Sequence, residues 1–324
     1  MKKKQLKRIF VIFFCITLLV TPKAFAENVT NEAKSTENQP QEAVDIFENM
    51  TAENLLLMEL DTGKVLYERK PEERIYPASL TKLMTAILVV ENCDLTDRVK
   101  VSEKAVTSVP LGYVNAKLQV GEELTVEELL YAMLIPSAND AANALAEHVG
   151  GSIDSFSAMM NTRANELGCT GTNFTNPSGL HQENHYTTAK DLYFIAKEAY
   201  SKSTIRKIIK TTQYTLPRTP KYPKNDRVLY TTNYLIKKEL TKYYYEWCTG
   251  AKTGYTGEAK NCVVEFAERD GIKLIAIVMG EKSKVKGKKF LDAKEMFEYV
   301  FRYYEIYISI SYIFCKWIRK MFSY

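Results

Sequence analysis

Pro77-Ala78-Ser79-Leu80-Thr81-Lys82-Leu83-Met84 is where the chain changes its hydrophobic period, and the fold is read from that change. Ahead of it, Leu55-Leu56-Leu57-Met58-Glu59-Leu60 reads as a buried strand. Asp61-Thr62-Gly63-Lys64 reads as its turn and Val65-Leu66-Tyr67 as the return strand. Behind it, Leu80, Leu83, Met84, Ile87 and Leu88 recur at helical spacing up to Val90, with Pro77 standing just before the first turn. A strand pair therefore hands over to a helix at Ser79.

Further along, a helical region is expected from Thr125 to Val149. Thr125 and Glu128 make a capping box, and Pro136 divides the region into helix, break, helix. Helices are also expected over Ser152 to Leu167 and Thr188 to Tyr200. Cys262 to Glu268 and Ile272 to Met279 read as strands joined at Arg269-Asp270-Gly271, and a last helix runs from Lys288 to Tyr304. Strands, a block of helices, strands and a helix predict an α+β fold. The sheet would be antiparallel and flanked by helices, with a helical lobe inserted in the middle. At 324 residues the chain is long enough for a sizeable core.

The N-terminus reads as an address. Lys2, Lys3, Lys4, Lys7 and Arg8 precede an apolar run from Ile9 to Val20, and Ala24-Phe25-Ala26 offers a small-x-small cleavage signal. Residues 1–26 are expected to be a secretory signal peptide, because the run is shorter than the roughly 20 residues of a membrane span. Residues 27–49 are polar and poor in large apolar side chains, as in a flexible linker. The whole chain holds 44 basic and 39 acidic residues, a net +5. The first 26 residues hold six basic and no acidic ones, so the rest carries 38 against 39, a net −1. The basic balance belongs to the export signal and makes no case for nucleic acid.

There is no CxxC, and the histidines are His148, His181 and His185, so no metal or cofactor is expected. Cys248 and Cys262 flank an apparent hairpin. They read either as a disulfide or, the more common use, as small buried apolar residues.

Three short patterns carry chemistry. Ser79 and Lys82, three apart at a helix start, share one helix face. A serine hydroxyl needs a base beside it, and a lysine serves if burial or a nearby cation lowers its pKa. The chain holds a second S-x-x-K, Ser283-Lys284-Val285-Lys286, which sits in a Lys-rich turn and reads as solvated surface. Ser137-Ala138-Asn139 follows Pro136, where a loop can point two polar groups into a cleft; helix capping is the plainer use. Lys252-Thr253-Gly254 lies in a Gly-rich stretch. On a strand edge Gly254 would allow close approach of a substrate backbone and Lys252 and Thr253 would hold a carboxylate, whereas a hairpin turn with an exposed lysine is the plainer reading. The first members of the three patterns are 58 and 115 residues apart, in that order. S-x-x-K, S-x-N and K-T-G in such contexts form the signature of penicillin-binding proteins and β-lactamases.

The sequence resembles the D-alanyl-D-alanine carboxypeptidases among the low-molecular-mass penicillin-binding proteins. Tyr76 to Thr85, Ser137 to Ala142, Asn176-Pro177-Ser178-Gly179-Leu180 and His185-Tyr186-Thr187-Thr188-Ala189 carry the likeness, which spans about Ala52 to Tyr304. The resemblance implies a catalytic domain over residues 50–304 with a β-lactamase-like fold. It implies Ser79 as nucleophile, Lys82 as its base and Ser137 as a proton relay. Asn139 would bind the substrate amide, and Lys252 and Thr253 beside Gly254 would take the terminal carboxylate. The backbone N–H groups of Ser79 and Tyr255 would form the oxyanion hole. The implied partners are peptidoglycan stem peptides and β-lactams, met outside the cytoplasmic membrane. A Ser-His-Asp arrangement of Ser79, His185 and Asp191 is set aside because Ser79 already has its lysine.

The tail, residues 305–324, stands where many relatives carry a β-rich second domain, which cannot fit here. Ile306, Ile310, Ile313, Trp317 and Met321 share one face of a helix with Lys316 and Lys320 on another, suited to a membrane surface. Ile306, Ile308 and Ile310 also alternate as in a strand, and a truncated end is a third reading. Two rival functions remain. A class A β-lactamase would need a glutamate to activate water, and no such loop is evident between Asn139 and Lys252. A non-catalytic peptidoglycan or β-lactam binder is opposed by the complete set of catalytic residues.

Overall fold

The structure is a computed structural model that describes residues 46–224 and 226–321, with side chains as far as 304 in the last helix. The expected signal peptide and most of the linker lie outside the described residues. A hairpin opens the domain, strands β1 (Asn54–Glu59) and β2 (Val65–Arg69). A 3-10 turn, Ala78–Thr81, then leads into helix α1 (Lys82–Asn92). The inserted lobe contains the short ribbon β3 (Arg98–Lys100) and β4 (Glu123–Thr125), with α2 (Glu103–Thr107) between them. Four more helices complete its first part: α3 (Val126–Leu134), α4 (Asn139–Gly150), α5 (Ile153–Glu166) and α6 (Ala189–Ser201). Helix α7 (Ser203–Ile209) and a second ribbon, β5 (Gln213–Leu216) and β6 (Arg227–Tyr230), precede the return to the main sheet. That return runs β7 (Cys248–Thr256), β8 (Lys260–Arg269) and β9 (Ile272–Glu281), closed by α8 (Lys288–Met321).

The main sheet has the order β2-β1-β9-β8-β7, and every pairing is antiparallel. The expected antiparallel sheet, flanking helices and inserted lobe are all present. Both faces of the sheet are buried, which explains why its strands read as nearly continuous apolar runs instead of alternating ones. Leu56, Met58, Val264, Phe266, Ile275, Ile277 and Met279 join the core of the helical lobe. Leu55, Leu57, Val263, Leu274 and Val278 are equally buried but lie outside that cluster. Helix α8 packs against β8 and β9, and its Phe290, Ala293, Met296 and Phe297 are buried.

Helix α1 is the centre of the lobe. Its residues Lys82 to Val89 are all buried, because α3, α4, α5 and α6 surround it. Leu83, Met84 and Ile87 each contribute about 1.5–3 kcal/mol by burial. That offsets the cost of two polar side chains in the same helix, both of them hydrogen-bonded. Thr85 Oγ1 donates to Pro177 O at 2.7 Å, and Lys82 is described below. The capping box at Thr125 is formed in both directions, so α3 starts where its sequence indicates. The break around Pro136 brings α4 back with Asn139 as its first residue.

Three open readings are decided. Cys248 and Cys262 are free thiols, not a disulfide. In the β7–β8 register Cys248 lies opposite Ala267 and Cys262 opposite Gly254, so the two never face each other. The plainer reading of Lys252-Thr253-Gly254 as a turn fails, since these residues form the middle of edge strand β7. Last, α8 does not stop near Tyr304 but continues to Met321, so residues 306–310 are helical and not a strand.

Candidate active site

The 3-10 turn that carries Ser79 is held from two sides. Ala78 adopts φ 46°, and Gly179, at φ 82°, packs so closely that a Cβ on it would lie 1.8 Å from Ala78 O. On the other side a Cβ on Gly254 would lie 3.2 Å from Ser79 N and 3.1 Å from Pro77 O. The expected use of Gly254 was approach by a substrate; its first use is approach by the serine turn itself.

Lys82 lies one turn after Ser79 and is fully buried. Its Nζ is 2.8 Å from Ser79 Oγ, 2.7 Å from Asn139 Oδ1 and 2.6 Å from Ser178 O. Burial first, and the charge of Lys252 second, hold its pKa well below the usual lysine value; Asp140 opposes them. Asn139 Oδ1 and Ser178 O can only accept, so Nζ donates to both while standing within hydrogen-bond reach of the Ser79 hydroxyl. Asn139 donates its own amide hydrogen to Val114 O at 2.9 Å. Asn139 thus braces Lys82 and also lines the cleft, where the resemblance implies that it binds the substrate amide.

Ser137 sits in the Pro136 break at φ 74°, a left-handed conformation strained for a serine. Its Oγ accepts from Lys252 Nζ at 2.8 Å, and the same Nζ donates to Thr253 O at 2.9 Å. Burial, and then the charge of Lys289, lower the Lys252 pKa to about 7. Thr253 Oγ1 is 2.6 Å from Thr232 Oγ1, which fixes its hydroxyl. Ser79, Ser137, Asn139, Thr253, Gly254 and Tyr255 together line a cleft of about 830 Å³. Tyr255 turns its ring to solvent, 64% exposed. Among the described residues none that lines the cleft is acidic, while Lys237, Lys284, Lys286 and Lys289 all border it.

His185 is buried and belongs to the frame. Thr175 N donates to its Nδ1 at 3.1 Å, which leaves the hydrogen on Nε2 to donate to Thr81 Oγ1 at 2.8 Å. Thr81 passes its own hydrogen to Ala78 O at 2.8 Å. Burial lowers the His185 pKa to about 3, so the ring is neutral at any ordinary pH. Asp191 accepts from Gly171 N and Thr172 Oγ1 and is not directed at His185. The Ser-His-Asp alternative is therefore absent.

Sequence reasoning missed Ser178, Thr232 and Lys289. Ser178 acts through a backbone carbonyl, which no side-chain pattern reveals. A weak signal existed in Asn176-x-Ser-Gly, where Asn176 Oδ1 accepts from Ser178 N and Gly179 N and so shapes the loop. Lys289 donates to Gly254 O and Cys262 O from α8, with burial lowering its pKa to about 8.

Comparison with known proteins bears on the family and the fold. The sequence profile of D-alanyl-D-alanine carboxypeptidases matches residues 35–283. D-alanyl-D-alanine carboxypeptidase DacF of Bacillus subtilis is 36% identical over 308 residues, covering 93% of this chain and 72% of that protein. The crystal structure of a Streptomyces DD-transpeptidase superposes with a TM-score of 0.71 at 32% identity, over 78% of this chain and 98% of that one. The D-alanyl-D-alanine carboxypeptidase of Mycobacterium tuberculosis gives a TM-score of 0.72 at 28% identity, over 82% and 96% of the two chains.

Proposed function

The chain belongs to the D-alanyl-D-alanine carboxypeptidase family of penicillin-binding serine peptidases, and on that premise we propose that Ser79 is the nucleophile of its acyl-enzyme. The observation that carries the assignment is the fully buried Lys82, whose Nζ lies 2.8 Å from Ser79 Oγ. Ser79 Oγ attacks the carbonyl between two D-alanines while Lys82 takes its proton. The Ser79 N–H, beside Gly254, and the Tyr255 N–H stabilise the oxyanion. The carbon–nitrogen bond then breaks, and the leaving amine takes a proton through Ser137, held by Lys252. Water releases the shortened peptide and frees Ser79.

The terminal carboxylate of the substrate is met by Thr253 and by the cations Lys252 and Lys289. A cleft wall without acids and with lysines suits a peptide that ends in a free carboxylate, such as a peptidoglycan stem peptide. The same lack of acids argues against the β-lactamase reading, because no carboxylate stands ready to activate water on a penicilloyl ester. Reaction outside the cytoplasmic membrane follows from the export signal read in residues 1–26. Contact of the tail, residues 305–324, with a membrane surface is inferred from the amphipathic order of its side chains. Among the described residues no helix is long and apolar enough to cross a membrane.

The deciding measurement is D-alanine release from a pentapeptide ending in D-Ala-D-Ala, run beside labelled penicillin. Stoichiometric, slowly released label together with D-alanine release is expected. Rapid penicillin turnover without D-alanine would replace this reading by a β-lactamase, and stable label with neither turnover by a binder.

A further inference from the structure

Away from the cleft, three metal-ligating side chains from separate parts of the sequence converge. Cys93 is the C-terminal cap of α1, His148 lies in the last turn of α4, and Asp97 closes the turn that leads to β3. Cys93 Sγ, one carboxylate oxygen of Asp97 and one imidazole nitrogen of His148 all lie within 4.8 Å of one another. No spacing in the sequence announces this, because Cys93 and His148 are 55 residues apart. The expectation of no metal, drawn from the absence of CxxC and the scarcity of histidine, did not reach such a site.

We propose that Cys93, Asp97 and His148 form a binding site for one divalent ion of the zinc type. Thiolate, imidazole and carboxylate are the three donor kinds that zinc accepts together, with a water in the fourth position. Ligand atoms about a tetrahedral zinc stand roughly 3.5 Å apart, so the three side chains need to close by only ~1 Å. The frame for that closure is already built. The Cys93 N–H is bonded to Val89 O at 3.1 Å. Asp97 N donates to Asp94 O at 3.1 Å, and Asp97 Oδ2 accepts from Asp94 N at 3.0 Å, so a backbone N–H orients the ligating carboxylate. The C-terminal ends of α1 and α4 meet here, and their carbonyl dipoles favour a cation.

The site would clip together the far ends of two helices whose near ends supply Lys82 and Asn139. Its role is therefore to stiffen the frame of the cleft, and it stands independently of the reaction assigned to Ser79.

The test is titration of the purified protein with cobalt(II), followed by its thiolate-to-cobalt absorption band. One ion per chain and a clear band are expected, lost in Cys93→Ser and weakened in His148→Ala, an exposed position where folding is not at stake. Penicillin labelling of all three proteins should be the same without metal. Zinc at about a hundredfold excess over its dissociation constant should raise the wild-type Tm by roughly 5–10 °C and leave Cys93→Ser unmoved. Absence of the band in the wild type, or its survival in Cys93→Ser, overturns the proposal.

Discussion

The chain writes S-x-x-K twice, and the two copies end in opposite states. At Ser79 the serine opens a helix and the lysine is sealed in a core, 2.8 Å from the hydroxyl. At Ser283 the same pattern is a surface turn. Ser283 Oγ accepts from Val285 N, Ser283 N donates to Glu281 Oε1, and Lys284 and Lys286 are exposed. Both serines border the cleft, so location alone does not separate them. What separates them is the environment of the lysine. Burial lowers the pKa of Lys82 well below the usual lysine value, whereas Lys286 stands in water.

The largest expected effect breaks the comparison outright. Ser79→Ala should take no covalent penicillin label, whereas Ser283→Ala should label like the wild type. Label on Ser79→Ala, read by mass spectrometry, would move the nucleophile elsewhere. Next in size is the base. Lys82→Met should slow acylation by roughly 10²–10⁴-fold, and Lys286→Met should stay within about threefold of wild type. Stopped-flow acylation kinetics distinguish these outcomes.

A smaller effect tests the frame around Ser79. Gly254→Ala puts a methyl 3.1–3.2 Å from Pro77 O, Ala78 Cβ and Ser79 N, so the serine turn must shift by a few tenths of an ångström. Acylation should fall by roughly 10- to 100-fold with little loss of Tm.

The smallest effect concerns stability. The buried Lys252 has a folded pKa of about 7 against the usual 10.5. Below about 7 it is charged in both folded and unfolded protein, and the penalty of its burial is complete. Between about 7 and 10.5 the folded protein has lost the proton and the unfolded has not, so the penalty fades as pH rises. Lys252→Met should therefore have a higher Tm than wild type at pH near 6, with the gap closing towards pH 10. A constant gap across that range would mean that Lys252 is not the group responsible.

Much of this was legible before any coordinates. The strand hairpin at Leu55, the capping box at Thr125 and the two strands at Cys262 and Ile272 obey local rules, and each element appears where its period placed it. The short ribbons β3–β4 and β5–β6 were not legible, since three or four residues carry too little pattern. The end of α8 was missed for a different reason. Its sequence past Tyr304 fits a helix and, over Ile306 to Ile310, a strand, so period alone left both open.

The sequence by itself determined the chemistry-bearing groups and their order along the chain. A nucleophile and its base three residues apart need only one helical turn to meet, which is a local property. It also determined that a helical lobe interrupts an antiparallel sheet. Only the tertiary structure supplies the burial of Lys82, from α3, α4, α5 and α6, none of them adjacent to it in sequence. Only the fold could assign Asn139 and Ser178 O to the amine of Lys82, from 57 and 96 residues away. Protonation depends on the dielectric and on the hydrogen-bond acceptors around a group. Those are set by packing from distant parts of the chain, and that is why the pairing of Ser79 with Lys82 can be read from sequence while the surroundings of its amine cannot.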